Sequence, residues 1–433
     1  MLRTLEKIYA VLAMLFLANA VVQRTVVAEE SRLAPHPLDA IGRLLVCALL
    51  VPLVVMHWRE VLHGLRQSGW IVALCGLALA SSLWSGDSGF TLRHGIFLSC
   101  ITLFAVYLAT CFDWDEQLNL FGWMAVIVVA GSAFMAVFFP AYGLSQEQYW
   151  GSVKGLFPQK NIMGGQMVFA ILTMGLARPK GIPAWVRTAT LIGACALLIL
   201  SNSATPLVAL LFCVAMYPLL HMRRSERRRT LPLWVPLAPV FLMAAGLAIA
   251  NFDVFVEAAG RNSALTGRIP MWKEVLSAIG THPWLGFGYD TFWSAWSTDL
   301  GRVKYVLQGY LPPHAHNGYL DLLLSMGFVG LAVFLCSYVV NLMRAGRVFR
   351  LPDTDLHGAK WPLLVLLFFT AVNLAESDIL HPMTFFWIPY VTIYVSLGLM
   401  AEERAWAPAQ AASEVADGDE TAEVSGAVPG YPA

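Results

Sequence analysis

The chain has 433 residues, 58% of them hydrophobic and only 13% charged, with a formal net charge of zero. A soluble domain carries about 25% charged residues, so this composition excludes a soluble globular protein and reads as an integral membrane protein. With 28 basic against 28 acidic side chains there is no global basic surface for nucleic acid.

Apolar runs of about 17–25 residues mark membrane spans. Twelve are read, over 6–22, 40–57, 69–84, 94–112, 119–139, 161–177, 189–202, 204–221, 231–251, 316–342, 361–376 and 384–400. Arg3 and Lys7 precede an apolar stretch ending in Ala18-Asn19-Ala20, the pattern of a signal peptide, but the many spans that follow favour an uncleaved first helix. With the N-terminus in the cytoplasm, the basic loops fall on one side. They hold Arg59 and Arg66; Arg178, Lys180 and Arg187; Arg223, Arg224, Arg227, Arg228 and Arg229; and Arg344, Arg347 and Arg350. The opposite loops are poorer, with Arg24, Arg32, Lys154 and Lys160. The expected fold class is therefore all-α, a polytopic bundle of about twelve transmembrane helices over residues 1–400. The acidic tail, 401–433, lacks an apolar period and is expected to be disordered in the cytoplasm. The cysteines, at 47, 75, 100, 111, 195, 213 and 336, are scattered without a CxxC. They predict neither a disulfide framework nor a zinc site.

One loop is out of proportion. Residues 252–315, on the non-cytoplasmic side, are rich in Trp, Phe and Tyr rather than in disorder-promoting residues. Within them Trp272, Val275, Leu276 and Ile279 recur at helical spacing, with Pro270 in the first turn and Gly280 as the stop. This predicts an amphipathic helix capping the bundle. Arg268 opens it. A cation is disfavoured there by the helix dipole unless an anion such as phosphate shares the site; a solvated surface arginine is the plain alternative.

His314 and His316 stand at the mouth of the tenth span, and His316 is the candidate base. An interfacial histidine that only hydrogen-bonds is the alternative reading. The His-x-His pair lacks a complementary metal-ligand motif, so no metal is expected. Glu376 closes span eleven on the same side, where an ionisable group at membrane depth is a candidate for function. Lys160, Arg93 and Ser203 end neighbouring spans on that side and could converge on a pyrophosphate. The triplets Asp113-Trp114-Asp115, Asp353-Thr354-Asp355 and Asp417-Gly418-Asp419 read as solvated charge, and Gly86-Asp87-Ser88-Gly89, which looks like a serine-protease surround, as chance.

His316-Asn317, followed by nine residues, Gly327, two residues and Gly330, resembles the signature of the bacterial O-antigen ligase and exopolysaccharide polymerase superfamily. Further pieces resemble the same superfamily in the same order: Trp84-Ser85 with Arg93, Gly155-Leu-Phe-Pro-Gln-Lys160-Asn161, Leu200-Ser-Asn-Ser203, Gly267-Arg268 with Trp272, Pro283-Trp-Leu-Gly-Phe-Gly288 and Asn373-Leu-Ala-Glu376-Ser377. The resemblance implies a GT-C-type inner-membrane glycosyltransferase with a large periplasmic loop. It would take a glycan from undecaprenyl pyrophosphate to an acceptor sugar hydroxyl, with inversion and without cofactor or metal. His316 would be the base and Arg268 the pyrophosphate ligand, supported by His314, Asn317, Ser203, Glu376 and Trp272. Ligases of this family commonly place an arginine where Ala204 stands, which leaves Lys160 or Arg93 as the second phosphate contact. That departure, with Lys160-Asn161 and Glu376-Ser377, looks more like a polymerase, for which a chain-length regulator is the expected partner, than a lipopolysaccharide ligase. A transporter or flippase would suit twelve spans, but the suspect residues lie at one face rather than at the midplane. Gly327 and Gly330 are expected to let their helix pack closely against another span.

Overall fold

A computed structural model describes residues 1–18, 20, 37–145, 151–220, 268–294, 301, 303, 313–350, 358–381 and 384–403. The ninth expected span, the basic loop at 223–229, the tail from 404 and half of the 252–315 loop lie outside these residues.

Among the described residues the regular structure is helical, with one isolated bridge between Leu144 and Val153. The order is α1 (Leu2–Leu17), α2 (Pro37–Met56), α3 (Trp58–Arg66), α4 (Gly69–Ala80), α5 (Ser88–Cys111), α6 (Trp114–Phe138), the short α7 (Pro140–Gly143), α8 (Lys160–Leu172), α9 (Ala184–Leu200), α10 (Ala204–Met216), α11 (Arg268–Thr281), α12 (Gly318–Arg350), α13 (Trp361–Val372) and α14 (387–403). By length and composition three described helices, Ser88–Cys111, Trp114–Phe138 and Gly318–Val348, can each cross a membrane alone. A fourth span arises if Ile41–Met56 and Trp58–Arg66, bent by 97°, count as one; α9, α10 and α13 are apolar but shorter.

The sharp bend at His57 turns the charged stretch 58–66, a loop by its composition, into a helix. Its helix buries Val61 and Gly64 and exposes Arg59, Glu60 and Arg66. The His57 ring reaches the buried Glu6 carboxylate at 3.3 Å. Two motifs read as chance or solvated charge turn out to be helix starts. Asp87 caps α5 by accepting from Phe90 N–H, and Asp113 with Glu116 forms a capping box on α6. Asp115 of the same triplet pairs with Lys180 at 2.7 Å. The cysteine expectation is corrected: Cys47 of α2 and Cys100 of α5 form a disulfide.

The central column of the bundle is α14. Trp387, Ile388, Tyr390, Val391, Ile393, Tyr394, Val395 and Leu397 are all buried, the all-round burial of an interior helix. Because lipid tails are as apolar as leucine, close packing and interhelical hydrogen bonds hold such a column rather than water exclusion. Trp387 Nε1 donates to Thr102, Asn341 Nδ2 to the Tyr390 carbonyl and Arg344 Nη1 to the Tyr394 carbonyl.

A second, smaller core lies beside the N-terminal end of α12. It gathers Met271, Val275, Ala278 and Ile279 of α11 with Phe292, Val303, Ala315 and Leu324. The capping helix is thus present, but its buried face is rotated from the expected one: Met271 and Ala278 face inward, while Leu276 is exposed. The residues ahead of Gly280 can be fitted by either face, and packing on Leu324 and Ala315 decides.

The glycine signature has a different role from the one expected. Gly327 breaks α12 with φ 62° and ψ −162°. Into the break fits the loop after α11: Phe287 N–H and Gly288 N–H donate to the carbonyls of Leu324 and Ser325, and Phe328 N–H and Val329 N–H donate to those of Pro283 and Trp284. A Cβ on Gly327 would collide with the Trp284 carbonyl, and one on Gly286 with the Leu324 carbonyl. Irregular backbone within an apolar helix survives only when its polar groups are satisfied; here the loop satisfies them and is anchored in return.

Candidate active site

Between the bundle and the smaller core, residues from four distant segments meet at Glu376. Its carboxylate follows the end of α13 and is nearly buried. Oε1 accepts from Asn161 Nδ2 at 2.7 Å, and Asn161 Oδ1 accepts from Ser203 Oγ at 2.8 Å. Arg268 Nη2 lies 3.8 Å from the same Oε1, with Nη1 donating to the Ala375 carbonyl at 3.1 Å. Oε2 lies 3.4 Å from His316 Nδ1. Of the predicted residues the fold therefore unites His316, Arg268, Glu376 and Ser203, and adds Asn161.

His316 sits at φ 51°, a left-handed conformation that a non-glycine residue keeps only when its surroundings impose it. They do so on every side. Trp272 Nε1 donates to the Ala315 carbonyl at 2.7 Å. The Ala315 N–H donates to both oxygens of Asp321, at 3.1 and 3.0 Å. Asp321 also accepts from Trp293 Nε1 at 2.7 Å and from the Ser377 hydroxyl. Asn317 caps α12, its Oδ1 accepting from the N–H groups of Tyr319 and Leu320, while its own N–H donates to Ser377 Oγ. Gly318 N–H donates to the carbonyls of Asn373 and Glu376 at 2.9 Å each. A side chain on Gly318 would strike the Asn373 amide.

His314 stacks edge-on to His316 with ring centroids 4.3 Å apart, and its Nδ1 accepts from the His316 N–H. Burial, with the charges of His316, His381 and Arg268 nearby, pushes its pKa well below the ordinary imidazole value, so it is neutral at physiological pH. The histidine pair does acquire a third ligand that the sequence did not offer. Donor atoms of His314, His316 and Glu376 all lie within 4.8 Å of one another. The Arg268 guanidinium on the same carboxylate places a fixed positive charge against any cation there.

Lys160 and Arg93 each hold a backbone carbonyl. Lys160 Nζ donates to the Asn202 carbonyl at 2.9 Å, and Arg93 Nε to Gly89 one turn back on its own helix at 3.2 Å. Asn161 and Asp321 are the residues that sequence reasoning passed over. Asn161 stood in a quoted motif beside the more conspicuous lysine. Asp321 is a lone acid in an apolar helix, the signal that singled out Glu376.

A family model described as O-antigen ligase matches residues 189–335, a stretch that holds Ser203, Arg268, Trp272, His314, His316 and both signature glycines. The exopolysaccharide production protein ExoQ of Rhizobium meliloti (strain 1021) is 26% identical over 77% of this chain and 78% of its own length. Both similarities point to the O-antigen ligase and exopolysaccharide superfamily. An O-antigen ligase of Pseudomonas aeruginosa is 24% identical over 73% of this chain and 74% of its own length. With the apolar helices, these similarities indicate a multi-pass membrane protein related to those of polysaccharide synthesis.

Proposed function

We propose that this protein is a GT-C-type glycosyltransferase of about twelve spans in the bacterial inner membrane. Both termini would be cytoplasmic and the site periplasmic. It would transfer a glycan from undecaprenyl pyrophosphate to a sugar hydroxyl of an acceptor glycan. The observation that carries the reading is the meeting of a histidine, a carboxylate and an arginine at one buried point. Glu376 faces His316 Nδ1, which assigns the proton to that nitrogen and leaves Nε2 to accept. The acceptor O–H gives its proton to Nε2 as its oxygen bonds to the anomeric carbon. The bond from that carbon to the pyrophosphate oxygen breaks with its electron pair, and attack opposite the leaving group inverts the centre. Glu376 stabilises the imidazolium, and the Arg268 guanidinium offsets charge developing on the pyrophosphate. Arg268 supplies the positive charge that a cation would bring, so the proposed chemistry needs no metal or cofactor.

Repeat-unit polymerisation is favoured over ligation to a lipid core by Ala204 in place of the ligase arginine and by the Asn161–Glu376 hydrogen bond, which joins two motifs of the polymerase branch. Similarity to the Pseudomonas O-antigen ligase keeps ligation as the second reading. The test is polymer formation by membranes holding His316→Ala or Arg268→Ala. Neither variant should make polymer, although each accumulates in the membrane. Near-normal polymer from either removes its assigned role, activity lost to a chelator argues against the metal-free route, and transport of substrate without a new glycosidic bond would make the protein a flippase.

A further inference from the structure

Beyond His316 the polar site continues into a corner that the transfer chemistry does not use. The His381 ring lies 6.1 Å from that of His314. Beside His381, the Leu380 carbonyl accepts from Tyr289 Oη at 2.5 Å, which brings the next residue of that loop, Asp290, to the outer end of α5. There the Asp290 carboxylate stands 3.5 Å from His94 Nδ1. This His94 nitrogen is buried and makes no hydrogen bond among the described residues, with the Asp290 carboxylate as its facing charge. Asp290 is held at φ 60°, two residues after Gly288 at φ 103°, with its N–H on Ser325 Oγ. The side chains of His94 and Asp290 keep 17% and 25% exposure, so a ligand can reach both.

We propose that Asp290, His94 and His381 form the acceptor subsite of this enzyme, binding hydroxyl groups of the acceptor sugar ring and presenting a neighbouring hydroxyl to His316. The assignment rests on the glycosyltransferase reading above. A carboxylate beside imidazoles can accept from and donate to vicinal hydroxyls. The Phe90 ring, 3.9 Å from that of His94, supplies an apolar wall beside it. Burial, with the Asp321 charge nearby, pushes the Asp290 carboxyl up to about 7. Near neutral pH it therefore serves hydroxyls as donor and acceptor alike. The corner joins the site through His381 and His314, and the donor pyrophosphate would keep the Arg268 end.

The test uses the full chain in lipid nanodiscs and, as probe, repeat-unit oligosaccharide released from the producing strain's own polysaccharide. Calorimetry should find the free oligosaccharide bound by the parent protein and about ten-fold more weakly by Asp290→Asn and by His94→Gln, the loss expected when sugar hydroxyls lose a buried partner. Asparagine tolerates the left-handed backbone at 290, and His94→Gln alters α5 rather than the loop's own sequence, so one variant survives a folding failure of the other. In turnover, the KM for acceptor should rise about ten-fold while the KM for donor stays within about two-fold. Unchanged oligosaccharide binding in the folded variants overturns the subsite, as does an equal rise in donor KM. Binding without any transfer by the parent protein would instead leave the subsite standing and remove the glycosyltransferase reading.

Discussion

Glu376 and Asn161 belong to the bundle, where position follows from helix register: each lies within one or two turns of a buried helix, and neighbouring apolar side chains fix the rest. Arg268 and His316 belong to the smaller core, whose register depends on contacts between segments far apart in the chain. There the loop at 283–288 hydrogen-bonds into the break at Gly327, and Asp321 ties the Ala315 turn to Trp293 and Ser377. The contrast teaches that the reacting groups come from the region with less core of its own. Their precision is borrowed from the bundle through one seam. Substitutions at the reacting groups, at the seam and in the bundle should therefore differ in size and in kind.

The largest effect belongs to the reacting groups. His316→Ala should lower glycan transfer by about 10²–10⁴-fold, the range for a positioned base, and Arg268→Ala by about 10²–10³-fold, the range for a lost charge-stabilising donor. Glu376→Gln keeps a hydrogen-bond acceptor for His316 but removes the charge that stabilises its imidazolium, so a smaller loss, about ten-fold, is expected. Rates per amount of membrane-inserted protein measure all three. A Glu376→Gln loss equal to that of His316→Ala would mean that the carboxylate itself takes the proton.

Seam substitutions come next. Gly327→Ala forces a side chain onto the Trp284 carbonyl in a backbone conformation nearly exclusive to glycine, at about 1–3 kcal/mol for the conformation alone. The larger consequence is displacement of α11 and Arg268 relative to His316. A shift of about 1 Å costs about 10²-fold. Gly76, which has open space around it in α4, should accept alanine with normal transfer. If Gly327→Ala and Gly76→Ala behave alike, the seam does not position the site.

This division also explains what could be read from the chain. Eleven of the expected spans coincide with described helices because long apolar runs signal themselves locally. The link from Glu376 to His316 was not legible, since 60 residues separate them and no period connects the two. The role of Gly327 was misread for a related reason: close helix packing and a docked loop both demand glycine, and spacing cannot separate them. Asp321 was legible in principle. An acid four residues inside an apolar span is costly unless partnered, and its partners, Ala315, Trp293 and Ser377, surround the base.

That reading makes Asp321 a positioning residue with an effect smaller than the seam's. Asp321→Asn keeps one acceptor oxygen but cannot serve the Ala315 N–H, Trp293 and Ser377 together. Transfer should fall about ten-fold, in kcat rather than in KM, because the base is misplaced while substrate contacts remain. A loss confined to protein accumulation, with normal kcat in what is inserted, would reduce Asp321 to a folding residue.

The smallest effect distinguishes the bundle's own end of the seam. Asp378 lies two residues beyond Glu376, and burial together with the Glu376 charge pushes its carboxyl up to about 8. A carboxyl with its folded pKa raised holds its proton more tightly in the folded state than in the unfolded one, where the pKa is about 3.9. Its contribution is full below about pH 4 and is lost as pH rises through about 8. The thermal midpoint of the purified protein in detergent should therefore decline between pH 5 and 8. Asp378→Asn, neutral throughout, should flatten that decline without moving transfer by more than about two-fold. An unchanged decline in Asp378→Asn would place the pH dependence elsewhere, with Asp290 of the smaller core, at about 7, the next group to replace. The two substitutions thus report separately which side of the seam loosens first as pH rises.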